Sequence, residues 1–322
     1  MVRLFTDERM LDHVTPSRHP ERPERLRAVL RHLDRLGLRE VCRVGHMREA
    51  SDAELLRVHD EDLLDEVRAM ETRGGGPIEA DTWVGPGSNL AARLAAGATV
   101  EAVRAVVAGP STTAFCAIRP PGHHARPAHA MGFCLFGNAA VAAREATVQL
   151  GLSRVLIVDW DVHHGNGTQE IFYEDGRIGF LSIHRYPFYP GTGNDDETGS
   201  GDGLGSILNL PIRYGTSRAD FLGAFRNGLE RLADRMKPEL IIISAGFDAH
   251  VQDPIGDLGL ETEDFVTLTK MVQEVARTHA SNRIVSVLEG GYNVPILAGC
   301  VAAHLETLGA EPAHGTSWAD LA

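Results

Sequence analysis

The sequence predicts an α/β protein with a mostly parallel central sheet flanked by helices, and three observations carry that prediction. Short β-branched or apolar runs recur along the chain, they are continuous rather than alternating, and helical patterns separate most of them. A continuous apolar strand is buried on both faces, as in a parallel sheet covered by helices.

In chain order, residues 2–5 read as a first strand. A helix follows His19-Pro-Glu-Arg-Pro-Glu-Arg25, with Leu26, Val29, Leu30, Leu33 and Leu36 at helical spacing. Ser51-Asp-Ala-Glu54 has the form of a capping box, 73–77 is a Gly-rich loop, and an alanine-rich helix is predicted over 89–108. Strands are predicted over 112–118, 154–159, 178–183, 207–210, 239–244 and 283–288. Between them Phe221, Leu222, Phe225, Leu229, Leu232 and Met236 make an apolar stripe behind a Ser217-x-x-Asp220 start. No repeat, charge block or long linker divides the chain, so residues 1–322 are expected to form one domain.

Composition removes several functional classes. With 43% hydrophobic and 23% charged residues the chain is an ordinary globular protein, and its net charge of −13 disfavours binding to nucleic-acid phosphates. No apolar run reaches membrane-spanning length and the first residues lack a signal-peptide core, so a cytoplasmic protein with no membrane partner is expected. Cys42, Cys116, Cys134 and Cys300 lie far apart, which suggests neither a disulfide scaffold nor a thiolate metal cage.

Four predicted strands end in unusual polar residues, at the edge where open parallel sheets collect ligands. They lead into Pro120-Pro-Gly-His-His124, Asp159-Trp-Asp-Val-His-His-Gly-Asn166, Ser244-Ala-Gly-Phe-Asp248 and Glu289-Gly-Gly-Tyr292. Asp161 and His163, two apart on an extended segment, point the same way, and Asp248 is the natural third ligand of an open catalytic zinc site. One of His123 and His124 can take a proton from water there, with Asp159 and Asn166 as candidates to fix a ring nitrogen. Tyr292 can donate its hydroxyl to a developing oxyanion.

These segments, with His19–Arg25, Arg119-Pro-Pro-Gly-His-His-Ala125, Met131-Gly-Phe-Cys134 and Pro190-Gly-Thr-Gly193, resemble the metal-dependent histone deacetylase superfamily. Within it they resemble the class II-like and bacterial amidohydrolase branch, which has an arginase-like three-layer fold with its active site at the strand carboxyl ends. The motifs run in family order over essentially the full chain. The resemblance implies one Zn2+ on Asp161, His163 and Asp248, with Fe2+ also suited to such donors. It implies His124 as general base and then acid, His123 as the partner that orients water, Asp159 behind His123, and Tyr292 as oxyanion donor. Asn166 stands where class I members carry aspartate. Phe133 and Tyr189 match the walls of an acyl-lysine tunnel, kept slim by Gly132 and Gly291, with Cys134 at its floor and Arg25 beneath the site. Asp159, Asp161, His163, Ser182 and Ile183 match a structural K+ site, and a second lies near Phe172, Asp175 and Ile178.

Ile255 occupies the position where a polyamine-selective relative has glutamate, which moves the expectation from acetylpolyamines towards acyl-lysine. The expected function is zinc-dependent removal of acyl groups, acetyl foremost, from acylated amines, with acyl-lysine in proteins or peptides as substrate. An acetylpolyamine or small-metabolite amidohydrolase, and a non-catalytic acyl-ligand sensor, remain alternatives, and homo-oligomerisation is left open. A two-metal ureohydrolase is disfavoured because the second aspartate after His163 and the acidic bridge after Asp248 are both missing. Loops 73–88 and 185–204 are expected to shape the cleft entrance.

Overall fold

The computed structural model describes residues 1–109, 111–313 and 317–320. Its strands are β1 (Arg3–Phe5), β2 (Arg43–Val44), β3 (Gly76–Pro77), β4 (Trp83–Val84), β5 (Thr113–Cys116), β6 (Val155–Asp159), β7 (Ile178–Arg185), β8 (Ile207–Ile212), β9 (Leu240–Ala245) and β10 (Ile284–Leu288). β3 and β4 make a small antiparallel pair, and the other eight form one sheet in the order β2-β1-β5-β10-β9-β6-β7-β8, parallel at every pairing.

The helices are α1 (Pro23–Arg35), α2 (Leu38–Val41), α3 (Asp52–Leu55), α4 (Glu61–Thr72), α5 (Ser88–Ala108), α6 (Asn138–Arg144), α7 (Asn166–Phe172), α8 (Arg218–Met236), α9 (Thr262–His279) and α10 (Val294–Thr307). α5, α6 and α7 pack side by side as one layer, and α1, α10, α9 and α8 as another, giving a three-layer architecture with the sheet between. The central strands β6, β9 and β10 are buried at every residue, which is why their sequences are unbroken apolar runs. Among the described residues no helix is long and apolar enough to cross a membrane.

The predicted elements form, with differences at β8, β2, α10, α9 and α3. β8 runs on through Pro211, which is tolerated because β8 is the sheet's edge. β2, at the other edge, has both residues exposed, so no apolar run marks it in the sequence. α10 has buried residues along most of its length rather than one stripe, and α9 opens on Glu261 instead of Ser or Thr, so neither carries the usual helix signature. The capping box at Ser51 forms, with Ser51 N–H donating to Glu54 Oε2 at 2.8 Å, but starts only the single turn α3.

Candidate active site

Sheet order brings the four polar strand ends together, since β5, β10, β9 and β6 are consecutive neighbours. Parallel register sets Asp159 level with Ser244 on one side and Ser182 on the other. Beyond that line Asp161, His163 and Asp248 converge, fully buried, with one ligand atom of each within 4.8 Å of the others. His163 Nδ1 lies 3.0 Å from Asp161 Oδ1 and 3.2 Å from Asp248 Oδ2. Backbone amides aim both carboxylates: Gly290 N–H donates to Asp161 Oδ2 (2.8 Å) and Val162 N–H to Asp248 Oδ1 (2.9 Å).

Two observations show that this triad suits a cation. Asp248 Oδ2 is buried without a hydrogen-bond partner, and burial together with the neighbouring Asp161 pushes the Asp248 carboxyl up to about 7. A Cβ on Gly246 would overlap Asp161 Oδ2, and one on Gly290 would overlap oxygens of both carboxylates. The protein therefore keeps a dense, under-neutralised cradle of one nitrogen and two oxygen donors, a donor set that zinc accepts with a position open to substrate.

His123 and His124 sit in the turn after β5, ring centroids 4.0 Å apart. The two candidate orienting groups divide between them. His123 Nδ1 donates to Asp159 Oδ2 (3.0 Å), and His124 Nδ1 donates to Asn166 Oδ1 (2.7 Å) at the start of α7. Burial disfavours charge on both rings. For His123 the charges of Asp161 and Asp159 outweigh it and lift the imidazole to about 10. For His124 burial is reinforced by His123 and His163, holding it well below its ordinary value. The surroundings thus favour charge on His123 and the neutral ring on His124, whose Nε2 is free.

Tyr292 lies over Arg25, whose guanidinium carbon is 4.9 Å from the ring centroid, and meets Phe133 edge-on at 5.7 Å. Burial keeps its hydroxyl protonated. Phe133 adopts φ +68° and Gly132 φ +57°, and a Cβ on Gly132 would overlap the His124 ring. The 73–88 loop holds this corner, with Thr82 Oγ1 accepting from Phe133 N–H (2.9 Å) and Asp81 Oδ1 from Gly132 N–H (3.1 Å). From the 185–204 loop, Tyr189 stands edge-on to His124 at 5.2 Å and to His163 at 6.0 Å. Gly291, at φ +121°, packs near Leu297 and Phe247.

The remaining predicted residues sit around this centre. Cys134 is buried, its thiol donating to Gly132 O, and Ile255 is half-buried with its N–H bonded to Asp253. Ser182 Oγ bonds His184 Nδ1 (2.9 Å), and Ile183 follows it on β7. Asp175, in the second K+ group, has its carboxylate engaged by Arg144 and Arg177.

Sequence reasoning assigned no role to three residues that shape the site. Phe188 stacks on His163 with ring centroids 5.2 Å apart. Asp253 Oδ2 accepts from Tyr292 N–H at 2.7 Å. Glu289 Oε2 accepts from Gly122 N–H (2.6 Å) and His123 N–H (3.2 Å), tying the tyrosine loop to the histidine turn. A carboxylate directly before Gly290-Gly291-Tyr292 was the available signal for Glu289; adjacency to Tyr189 was the only one for Phe188.

This architecture and site are those of a hydrolytic enzyme. The family model for the histone deacetylase domain matches residues 19–308, and the chain belongs to the histone deacetylase family, whose fold is the arginase-like α/β type. It is 39% identical over 291 residues to the histone deacetylase-like amidohydrolase of Pseudomonas aeruginosa, covering 90% of this chain and 77% of that one. It is 40% identical to a probable deacetylase of Archaeoglobus fulgidus, covering 89% and 80%, and 40% identical to the human polyamine deacetylase HDAC10, covering 91% of this chain but 45% of that longer protein. The crystal structure of the HDA15 HD domain superposes with a TM-score of 0.90 at 37% identity, covering 98% of this chain and 89% of the other.

Proposed function

We propose that this chain is a zinc-dependent deacetylase that hydrolyses acylated amines, with acetyl-lysine in peptides or proteins as its substrate class. The observation that carries the reading is the paired rings of His124, bonded to Asn166, and His123, bonded to Asp159, set against a buried Asp161–His163–Asp248 triad. Zinc on that triad would lower the pKa of water and polarise the acyl carbonyl.

The chain's own residues supply the rest. His124, its Nδ1–H committed to Asn166, takes a proton at Nε2 as water adds to the acyl carbon. The same nitrogen then delivers that proton to the departing amine. Asn166 is an amide and keeps no charge, so the histidine it orients is not locked in its protonated form. His123, held positive by Asp159 and Asp161, stabilises negative charge without moving a proton. Tyr292 donates its hydroxyl to the acyl oxygen as charge develops there. Phe133 and Tyr189 flank the aliphatic part of the substrate, and Ser182 and Ile183, beside Asp159, are the proposed K+ ligands together with Asp159, Asp161 and His163.

Ile255 supports acyl-lysine over acetylpolyamine, because an apolar side chain offers no counter-charge to a distal ammonium. The test is acetate release by the zinc-loaded protein from acetyl-lysine peptides, N-acetylpolyamines and longer acyl-lysines. Release from peptides is expected. Preferential release from polyamines would overturn the substrate class, and no release from any substrate would overturn the catalytic reading.

A further inference from the structure

The tyrosine loop and the histidine turn follow neighbouring strands, β10 and β5, whose pairing ends at Val287 and Cys116, so beyond that point side chains must hold their spacing. Glu21, just ahead of α1 and fully buried, lies between them. Its carboxylate takes a forked pair of bonds from Arg119, Nε to Oε1 at 2.9 Å and Nη2 to Oε2 at 2.7 Å. Arg119 is the stem of the turn that carries His123 and His124, and its Nη1 also donates to Met10 O and His13 O. On its other side Glu21 Oε1 accepts from Arg25 Nη1 at 3.3 Å, and His13 Nε2 lies 3.5 Å from Oε2.

Arg25 in turn donates to the carbonyls of Gly291 and Glu289, each at 2.6 Å, and lies over the Tyr292 ring. The Glu289 carboxylate closes the circuit on Gly122 and His123. Among the described residues Glu21 is the only acidic partner of either arginine. Burial opposes a charge on Glu21, yet Arg119 and His13 hold it well below the ordinary carboxylate range.

A buried ion pair of this kind adds little net stability, because desolvation consumes most of the Coulomb gain. What a fixed bidentate fork does supply is direction. We infer that Glu21 is a positioning residue for the reaction: through Arg119 and Arg25 it sets Tyr292 at the distance from His124 that hydrolysis requires. This rests on the deacetylase reading of the site. Glu21 touches no reacting atom, so its removal acts on turnover rather than on binding, and misplacement by about 1 Å costs on the order of 10² in rate.

The experiment uses the zinc-loaded full chain with an acetyl-lysine peptide. In the double variant Glu21→Met/Arg119→Met the forked pair leaves together, and Arg25 keeps its two bonds to the carbonyls of Gly291 and Glu289. Expected are zinc content and KM within about twofold of the parent and kcat lower by roughly 10- to 100-fold. A folded, zinc-replete double variant with kcat within threefold of the parent overturns the inference.

Glu21→Asp, which keeps the charge and shortens the arm, provides a second measurement independent of that variant's folding. It should lower kcat at least fivefold in the parent but less than twofold in a Tyr292→Phe background, where the positioned hydroxyl is gone. Equal loss in both backgrounds assigns Glu21 a purely structural role. Absence of turnover in the unmodified chain would instead overturn the deacetylase reading, so the two failures are distinguishable.

Discussion

Tyr292 and Gly290 are two residues apart and carry opposite kinds of requirement. Tyr292 is needed for an atom it has. Its hydroxyl, kept protonated by burial, belongs to a ring held between Phe133 and Arg25. Tyr292→Phe should lower kcat by about 10²- to 10³-fold while zinc content, measured by atomic absorption, stays stoichiometric. Gly290 is needed for an atom it lacks. A methyl group there would overlap Asp248 Oδ2 and Asp161 Oδ2 and force both ligands to turn. Gly290→Ala should weaken zinc by about 10- to 100-fold, read by competition with a chelating dye. An unchanged zinc affinity would show that the carboxylates can retreat. The convergence of Asp161, His163 and Asp248 was legible because Asp-x-Asp-x-His at a strand end is a ligand spacing, and Asp248 closes an equivalent strand end. That Asp159 stands behind His123, and Asn166 by His124, came from the family resemblance and not from the spacing alone. Both assignments satisfy the spacing, and the packing of the turn against β6 and α7 selects one.

At the scale of elements, what the sequence revealed depends on whether an element has two kinds of face. α1 and α8 bury one stripe, and their stripes were plain. α10 is apolar nearly throughout and β2 is two exposed residues, so no periodicity distinguishes either. α3 shows that a cap signal need not announce a long helix. Its Glu54 serves as cap partner and as an ion-pair centre, accepting from Arg48 at 2.6 and 2.8 Å and from Arg104 at 3.3 Å. Burial would raise the Glu54 carboxyl, but Arg48 and Ser51 bring it down to about 2. A carboxylate depressed in the folded state stabilises fully above its ordinary value of 4.5 and loses that contribution as pH falls towards about 2. Glu54→Gln should therefore destabilise the protein by about 1 kcal/mol at neutral pH. The difference should close only as pH falls to about 2 and below, where the folded parent is protonated too. Urea unfolding of both proteins at several pH values measures this; a gap that persists at low pH would mean the cap works without charge.

For the whole molecule, the sequence named the site's pieces but not why they meet. Convergence depends on strand order, β5 beside β10 beside β9 beside β6, and chain order gives no hint that β10 inserts between β5 and β9. Buried side-chain contacts join the elements around that sheet, and two histidines lie at such junctions. His59 Nδ1 donates to Arg126 O (3.0 Å) while Nε2 accepts from Gly137 N–H (2.8 Å). On α10, His304 bonds Thr269 of α9 (2.7 Å) and Ser286 of β10 (2.8 Å). Because Thr269 Oγ1 already donates to Phe265 O, His304 Nδ1 donates to it and Nε2 accepts from Ser286. Each ring is thus bonded as a neutral tautomer, and burial pushes His59 down to about 4 and His304 down to about 3. A histidine depressed in the folded state contributes stability that is complete above its unfolded value of 6.5 and is lost as pH falls below it, since only the unfolded chain binds the proton. These two groups contribute a slope of about 3 kcal/mol per pH unit between about pH 6 and pH 4, alongside the other buried histidines that burial holds down, His164 and His184 among them. Urea unfolding from pH 7.5 to pH 5 should show stability dropping with at least this slope. His59→Gln, whose amide can both donate and accept, should reduce the slope by about 1.4 kcal/mol per pH unit, the share of one proton. A slope unchanged by that substitution would mean His59 is free to protonate inside the folded protein, and the neutral junction would be refuted.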